Sequence, residues 1–376
     1  MGSPRLPRAG SSCSVHGTIM EQRFRPEGLP DGGQGSRHRD ESYGDPYELP
    51  PDRAHAETCA SVAGLMWSWR LLLATGPARY ADAMERLLYN AIAGALSIDG
   101  RNFFCANPLQ VRAVHDGTGE YESCDRRPWF SCACCPPNLA RLMASLHHYV
   151  ATTDKHGLQL HLFAPARVTA TLPGAGEVRL EMVTSYPWDG SVELTVDGHE
   201  AEWELSLRVP AWSLGPSVTV DCVAFDGGPD TLGYFRVRRR WAGRSRVTLE
   251  LPMPADLVRT NPRVDAVRGC VAMVRDPLVY CVEQVDQVVN VDDLHLDTST
   301  AVGLAGPVVE LGAPVSLVAT GYASPPGTDA LYYVDGPLRH GAARDVRERT
   351  VPITAVPYFS WANRGSNAMR VWLPAG

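Results

Sequence analysis

LQLHLFA (residues 158–164), SVELTV (191–196) and AEWELSLRV (201–209) decide the fold class. In each, apolar and polar residues alternate with the period of two that marks a strand with one buried face. The alternation continues through VRLEMV (178–183), SVTVDCVAF (217–225), YFRVRRRW (234–241) and SRVTLELPM (245–253). Gly, Asp and Pro turns separate these runs, which is the pattern of a β-sandwich. A second β-rich block carries VAMVRDPLVYCVEQV (271–285), VSLVATGYA (315–323), TVPITAVPYFSW (350–361) and MRVWLP (369–374). The break between the blocks falls near residue 256, after Pro252 and Pro254.

Upstream of residue 155 the period becomes helical. ETCASVAGLMWSWRLLLAT (57–75) is apolar nearly all round, so the expectation is a helix buried on most sides and stopped by Gly76-Pro77. ARYADAMERLLYNAIAGALS (78–97) places Met84, Leu87, Leu88 and Ala91 on one stripe of a second helix. RNFFCANPLQVR (101–112) reads as a strand or extended loop. A third helix is expected from about Pro137 through NLARLMASLHHYVATT (138–153). Residues 1–32 mix Pro, Gly, Arg and Ser without a period and are expected to be disordered or poorly packed. The expected order is therefore an atypical start (1–32), a helical part (33–155), a β-sandwich (156–255) and a C-terminal β-sandwich (256–376).

Composition narrows the function. A net charge of −7 gives no footprint for nucleic acid or an anionic membrane. No apolar run reaches the roughly 18 residues of a membrane helix. A neutral polar ligand such as a carbohydrate suits this balance. The start, MGSPRLPRAGSS, lacks the apolar segment of a signal peptide. Ten cysteines occur, and three of them crowd at positions 132, 134 and 135. Such crowding in a long chain points to metal or catalysis rather than disulfides, with a reducing, cytoplasmic location expected.

The densest chemistry is SCACCPPN (131–138). Pro136 is expected to hold Cys135 extended, and Pro137 suits the first turn of a helix. Cys134 and Cys135 then lie just ahead of a helix N-terminus, where the partial positive charge favours thiolate. Glu57 and Cys59 stand two residues apart, about 200° around a helix. They converge on one ion only if the segment is just entering its helix. Glu57, Cys59, Cys134 and Cys135 offer one oxygen and three sulfurs, a tetrahedral zinc shell. Soft thiolates argue against magnesium or calcium. A filled shell is more often structural than catalytic, yet a metal-held thiolate can also be a nucleophile; spacing alone leaves both open. RHRDESYGDPYELPPDR (37–53) adds Asp40, Glu41, Asp45, Glu48 and Asp52, and spacing singles out none of them. His38 can line a pocket beside Glu41, whereas His147 and His148 read as surface or core, and His55 has no assignment.

Together, GGQGSRHRDESYGDPYELPPDRAHAETCAS (32–61) and SCACCPPNLARLMASL (131–146) resemble glycoside hydrolase family 127, whose founding activity is β-L-arabinofuranosidase. FFCANPLQV, YPWDGSVELTV, SLRVPAWS, DPLVYCVEQVD and VPYFSWANRG are weaker echoes. The resemblance implies a retaining glycosidase acting on arabinofuranoside-type glycans. It implies Cys134 as nucleophile, Glu41 as general acid/base, and zinc held by Glu57, Cys59, Cys134 and Cys135. Cys132 matches a further cysteine without a ligand role. The implied catalytic fold is an (α/α)6 barrel of twelve helices, of which residues 33–155 supply about three, a partial barrel lacking its N-terminal half. Cys105 replaces an aromatic hydroxyl usual in the family. Relatives often pair as homodimers through their sandwiches. A non-catalytic reading competes: a carbohydrate-binding or structural zinc protein, with Trp188, Trp203, Trp212 and Tyr234 as exposed sugar platforms rather than sandwich core.

Overall fold

The computed structural model describes residues 30–112, 125–324 and 350–376. Residues 1–29, which make up most of the stretch expected to be disordered, lie outside them. Of that stretch, Asp31 is described and fully buried.

Three α-helices stand among the described residues: α1 (Thr58–Thr75), α2 (Arg79–Leu87) and α3 (Cys135–Ser145). A π-helical turn, Leu88–Ile92, extends α2. Gly76 closes α1 in the left-handed region at φ 91°, donating its N–H to Leu72 O, as the Gly-Pro pair predicts. Val62, Leu65 and Leu72 of α1 pack on Met84, Leu87 and Ile92 and on Leu139 and Leu142 of α3. α1 is buried along much of its length, as expected, but its last turn is open: Leu73 is 58% exposed. α3 begins two residues earlier than expected. Cys135 is its first residue, not an extended one, and Cys134 before it is already helical at φ −73°, ψ −31°. The bias against helix before proline yields here because the N–H groups that Pro136 and Pro137 lack are among those a helix start leaves unpaired anyway. The far end also differs. Ala151–Thr153 is a strand, not helix, pairing antiparallel with Gly157–Leu160.

Among the described residues the first sheet has eight strands, centred on the long pair Ser191–Arg208 and Tyr234–Glu250. That pair is antiparallel from Ser191↔Glu250 to Arg208↔Tyr234, with one irregularity between His199 and Ala201. Alternation places Leu205, Leu207, Val237, Val247 and Leu249 inside, with Trp203 and Trp241 stacked 5.0 Å apart. Trp203 and Tyr234 are buried, Trp212 is half-buried against the same core and Trp188 half-buried against the layers of the second sheet, so these aromatics form no exposed platform.

The second sheet has ten strands among the described residues, mostly from Asp256 to Pro374. Every residue of the strand Leu278–Glu283 is buried, because apolar layers cover both faces. One layer reaches back to the helical part: Ala54, Ala56, Phe104 and Leu109 pack with Val356, Tyr358, Trp361 and Trp372. Gln110–Val111, within the stretch read as strand or loop, is a two-residue strand of this sheet, paired with Met369–Arg370. A buried ionic cluster ties α2 to the first sheet. The Arg208 guanidinium, with no exposed surface, reaches Asp82 at 2.6 Å and also pairs with Glu85.

Candidate functional site

The start of α1 is held between two extended segments. On one side Ala56 and Glu57 donate backbone N–H groups to Gly35 O (2.9 Å) and Gln34 O (3.1 Å). On the other, Thr58 donates its N–H to Cys105 O and its hydroxyl to Phe104 O, both at 2.8 Å. The Asn107 amide donates to Ala56 O and to Thr58 Oγ1. Glu57 is therefore the N-cap, still extended at φ −66°, ψ 138°, and Cys59 lies in the first turn. This is the helix entry that the two-residue spacing requires for convergence.

Cys134 and Cys135 arrive from the start of α3. Cys59 and Cys135 sulfurs are 3.6 Å apart, those of Cys134 and Cys135 3.7 Å apart, and Cys134 Sγ lies 3.5 Å from Glu57 Oε1. All four side chains offer one ligand atom each within 4.8 Å of one another, a set that can hold a metal ion. Hydrogen bonding from Cys135 pulls the Cys59 thiol below its usual range, whereas burial pushes Cys134 up. Cys135 is pushed up first by its hydrogen bond with Cys105. Both adjacent cysteines at the helix N-terminus are thus raised, Cys134 chiefly by burial and Cys135 chiefly by hydrogen bonds with Cys105 and Cys59.

Glu41 stands at the tip of a hairpin closed by Arg37 and Ser42, each donating its N–H to the other's carbonyl. Asp40 and Glu41 both sit at positive φ, 61° and 47°. For side-chain-bearing residues this costs about 1–3 kcal/mol each and is concentrated at functional sites. The neighbouring carboxylates are engaged elsewhere. Arg37 holds Glu48 (2.7 Å) and Asp45 (3.0 Å), and Arg112 holds Asp52 (2.6 Å). The Arg37 hydrogen bond holds the exposed Glu48 carboxyl down to about 2. Glu41 instead shares a second cluster, with ligand atoms of His55 and Glu57 within 4.8 Å of one another and of its own.

The structure thus brings Glu57, Cys59, Cys134 and Cys135 together and sets Glu41 beside them through Glu57. His38 is half-buried and touches the site through His55, Nδ1 to Nδ1 at 3.4 Å. Two residues missed by sequence reasoning join the site: His55, 3% exposed, and Cys105, 4% exposed. The alanines flanking His55 in AHAE are a faint sign of burial. Cys105 shows no period at all. Cys132 is exposed. A cleft of about 380 Å³ beside Pro77, Asp82, Ser213 and Asp230 lies at the other end of α1, a helix length of about 27 Å from the cysteines.

Three family models match consecutive parts of the chain. Residues 27–148 match the β-L-arabinofuranosidase, family 127 catalytic domain. Residues 157–253 match the family 127 middle domain, and 255–374 the family 127 C-terminal domain. A non-reducing end β-L-arabinofuranosidase of Bifidobacterium longum subsp. longum is 32% identical over 359 residues, covering 91% of this chain and 52% of that protein. A crystal structure of a family 127 β-L-arabinofuranosidase from Geobacillus stearothermophilus T6 superposes with a TM-score of 0.85 at 36% identity, covering 93% of this chain and 54% of that one. Another solved family 127 β-arabinofuranosidase gives 0.81 at 28% identity, covering 93% and 54%. The chain spans about half the length of these relatives. With three consecutive domain matches and this relatedness, the chain belongs to glycoside hydrolase family 127.

Proposed function

We propose that the chain is a retaining glycoside hydrolase that releases β-linked L-arabinofuranose, with Cys134 as nucleophile and Glu41 as general acid/base. The observation that carries this is the position of the Cys134 sulfur, in the cysteine cluster and 3.5 Å from the carboxylate that Glu41 adjoins. The cluster fits zinc. At Zn–S and Zn–O lengths of about 2.3 and 2.1 Å, tetrahedral edges are about 3.8 Å between sulfurs and about 3.6 Å from sulfur to oxygen. The contacts are 3.6, 3.7 and 3.5 Å. Glu57, Cys59, Cys134 and Cys135 would hold the ion, whose charge keeps thiolates ionised.

Cys134 sulfur bonds to the anomeric carbon while the glycosidic C–O bond breaks, and Glu41 gives its proton to the departing oxygen. Glu41 then takes a proton from water as that water bonds to the anomeric carbon and the C–S bond breaks. Glu41, exposed at its hairpin tip, can meet both the leaving group and water. His38 would line the sugar pocket. In this reading the three helices are part of an (α/α)6 barrel and the sheets are sandwiches that can pair two copies. All eight described cysteines are free thiols, which suits a reducing compartment such as the cytoplasm.

The complete four-ligand shell also favours a second reading, a structural zinc with no chemistry. Incubation with an aryl β-L-arabinofuranoside, and labelling with an arabinofuranosyl haloacetamide read by mass spectrometry, separates the two. Turnover with label on Cys134, both lost in Cys134→Ser and turnover lost in Glu41→Gln, supports catalysis. A chain that binds zinc, shows neither turnover nor label, and loses chiefly stability in Cys134→Ser supports the structural role.

A further inference from the structure

His55 sits two residues before Glu57 and is 3% exposed. Its Nδ1 lies 3.4 Å from Nδ1 of His38, and the two rings meet edge to face at 5.1 Å. Its Nε2 has no hydrogen-bond partner and lies 3.8 Å from Glu57 Oε2. The other oxygen of that carboxylate, Oε1, is 3.5 Å from Cys134 Sγ. One carboxylate therefore faces the sulfurs with one oxygen and a buried histidine with the other.

The surroundings choose the tautomer. One of the two facing Nδ1 atoms must carry the proton between them. If His55 carried it on Nδ1 alone, the Nε2 lone pair would face, buried, the Glu57 carboxylate. With Nε2 protonated, the same atom becomes a donor facing that acceptor, and His55 Nδ1 accepts from His38. In metal sites the hydrogen bond at one ring nitrogen fixes which nitrogen donates at the other.

We infer that His55 is a positioning residue whose Nε2–H faces the outer oxygen of Glu57 and by its attraction biases the inner oxygen towards the cysteine cluster, with His38 fixing the His55 tautomer. This rests on the zinc reading above. The separation of 3.8 Å is an electrostatic contact rather than a formed hydrogen bond. Glu57 has three side-chain torsions to fix, and an outer-shell donor restricts them before the ion arrives. Loss of such a partner lowers metal affinity by about 10–100-fold.

The test is a zinc titration against a chromophoric chelator on the full chain, with His55→Leu and His55→Gln beside it. Gln places an N–H near the position of Nε2; Leu keeps the bulk and removes the donor. The expected result is a loss of about 10–100-fold in zinc affinity for His55→Leu and only a few-fold loss for His55→Gln. Wild-type affinity in His55→Leu overturns the inference, as does an equal loss in both variants. If the unmodified chain binds no zinc, the metal reading itself fails and this inference with it. Should His55→Leu not fold, long-range proton–nitrogen correlation on the zinc-loaded chain decides: a neutral His55 protonated at Nε2 supports the assignment, and one protonated at Nδ1 overturns it.

Discussion

Asp31→Asn should stabilise the folded chain at high pH relative to low pH, and the size of the change follows from its surroundings. Asp31 is fully buried; Oδ1 accepts the Gly33 N–H at 3.0 Å and Oδ2 has no partner. Burial raises its carboxyl to about 6 from an ordinary 3.8. The folded state therefore binds this proton more tightly than the unfolded state does. The ionised group opposes folding above pH 6, and that penalty fades as pH falls through 6 and is gone below 3.8. A shift from 3.8 to about 6 corresponds to about 3 kcal/mol at pH 8, at 1.36 kcal/mol per pH unit. The amide introduces a buried N–H₂ group with a cost of about 1–3 kcal/mol, but that cost does not vary with pH. The pH dependence of the difference therefore isolates the ionisation. Urea unfolding of both chains at pH 4, 6 and 8, followed by helical circular dichroism, should show Asp31→Asn gaining about 2–3 kcal/mol on wild type between pH 4 and 8. A difference that stays flat over this range, or falls, refutes the reasoning.

Other perturbations probe the scaffold and the cluster. Arg208→Met strands Glu85, which is 1% exposed, without its counter-ion and should cost about 3–5 kcal/mol of stability; a loss under about 1 kcal/mol by denaturant midpoint would contradict the buried pairing. Leu205→Ala, in the fully buried core of the first sheet, should cost about 2–5 kcal/mol by the same measurement. Cys135→Ala should leave the chain near zinc-free after dialysis against a chelator, read by elemental analysis, whereas Cys132→Ala should retain its metal. Equal zinc content in the two variants would remove Cys135 from the ligand set.

Period-two alternation located the long strands because one face of each is buried and the other wet, as in Ser191–Arg208. It fails where that asymmetry is missing. Ala151–Thr153 continues a helical run without a break, and only pairing with Gly157–Leu160 makes it a strand. Gln110–Val111 is too short to show a period and owes its pairing to residues 369–370, more than 250 positions away. At the site, the cysteine pair and the ETC motif were legible because thiols are rare and their crowding is local. Glu41 was not separable from four other nearby carboxylates, since the cations that engage Asp45, Glu48 and Asp52 act through folding of the loop. His55 looked inert for the complementary reason: its meaning lies in an unpartnered nitrogen, which exists only once the surroundings are packed.

The placement of the site explains why the C-terminal sheet matters to a cluster that contains none of its residues. Glu57 and Cys59 are aimed by the strip Phe103–Asn107, whose carbonyls receive the Thr58 N–H and hydroxyl. That strip is itself clamped from below. Phe104 stacks on Trp361 at 4.9 Å and 8°, and the Arg126 guanidinium covers the Phe104 ring at 4.5 Å. Arg126 also donates to Gly94 O at 2.8 Å, joining the turn after α2 to the same stack. Trp361 belongs to the C-terminal sheet region and is fully buried. A shift of this tryptophan would move Phe104, and with it the carbonyls that set the first turn of α1. Convergence of the Glu57, Cys59, Cys134 and Cys135 side chains within 4.8 Å therefore depends on packing at the seam between the helices and the last sheet, not on the helical part alone. The C-terminal sheet serves this site as a foundation through Trp361, whereas Trp203 and Trp241 face inward because they fill the core of the first sheet.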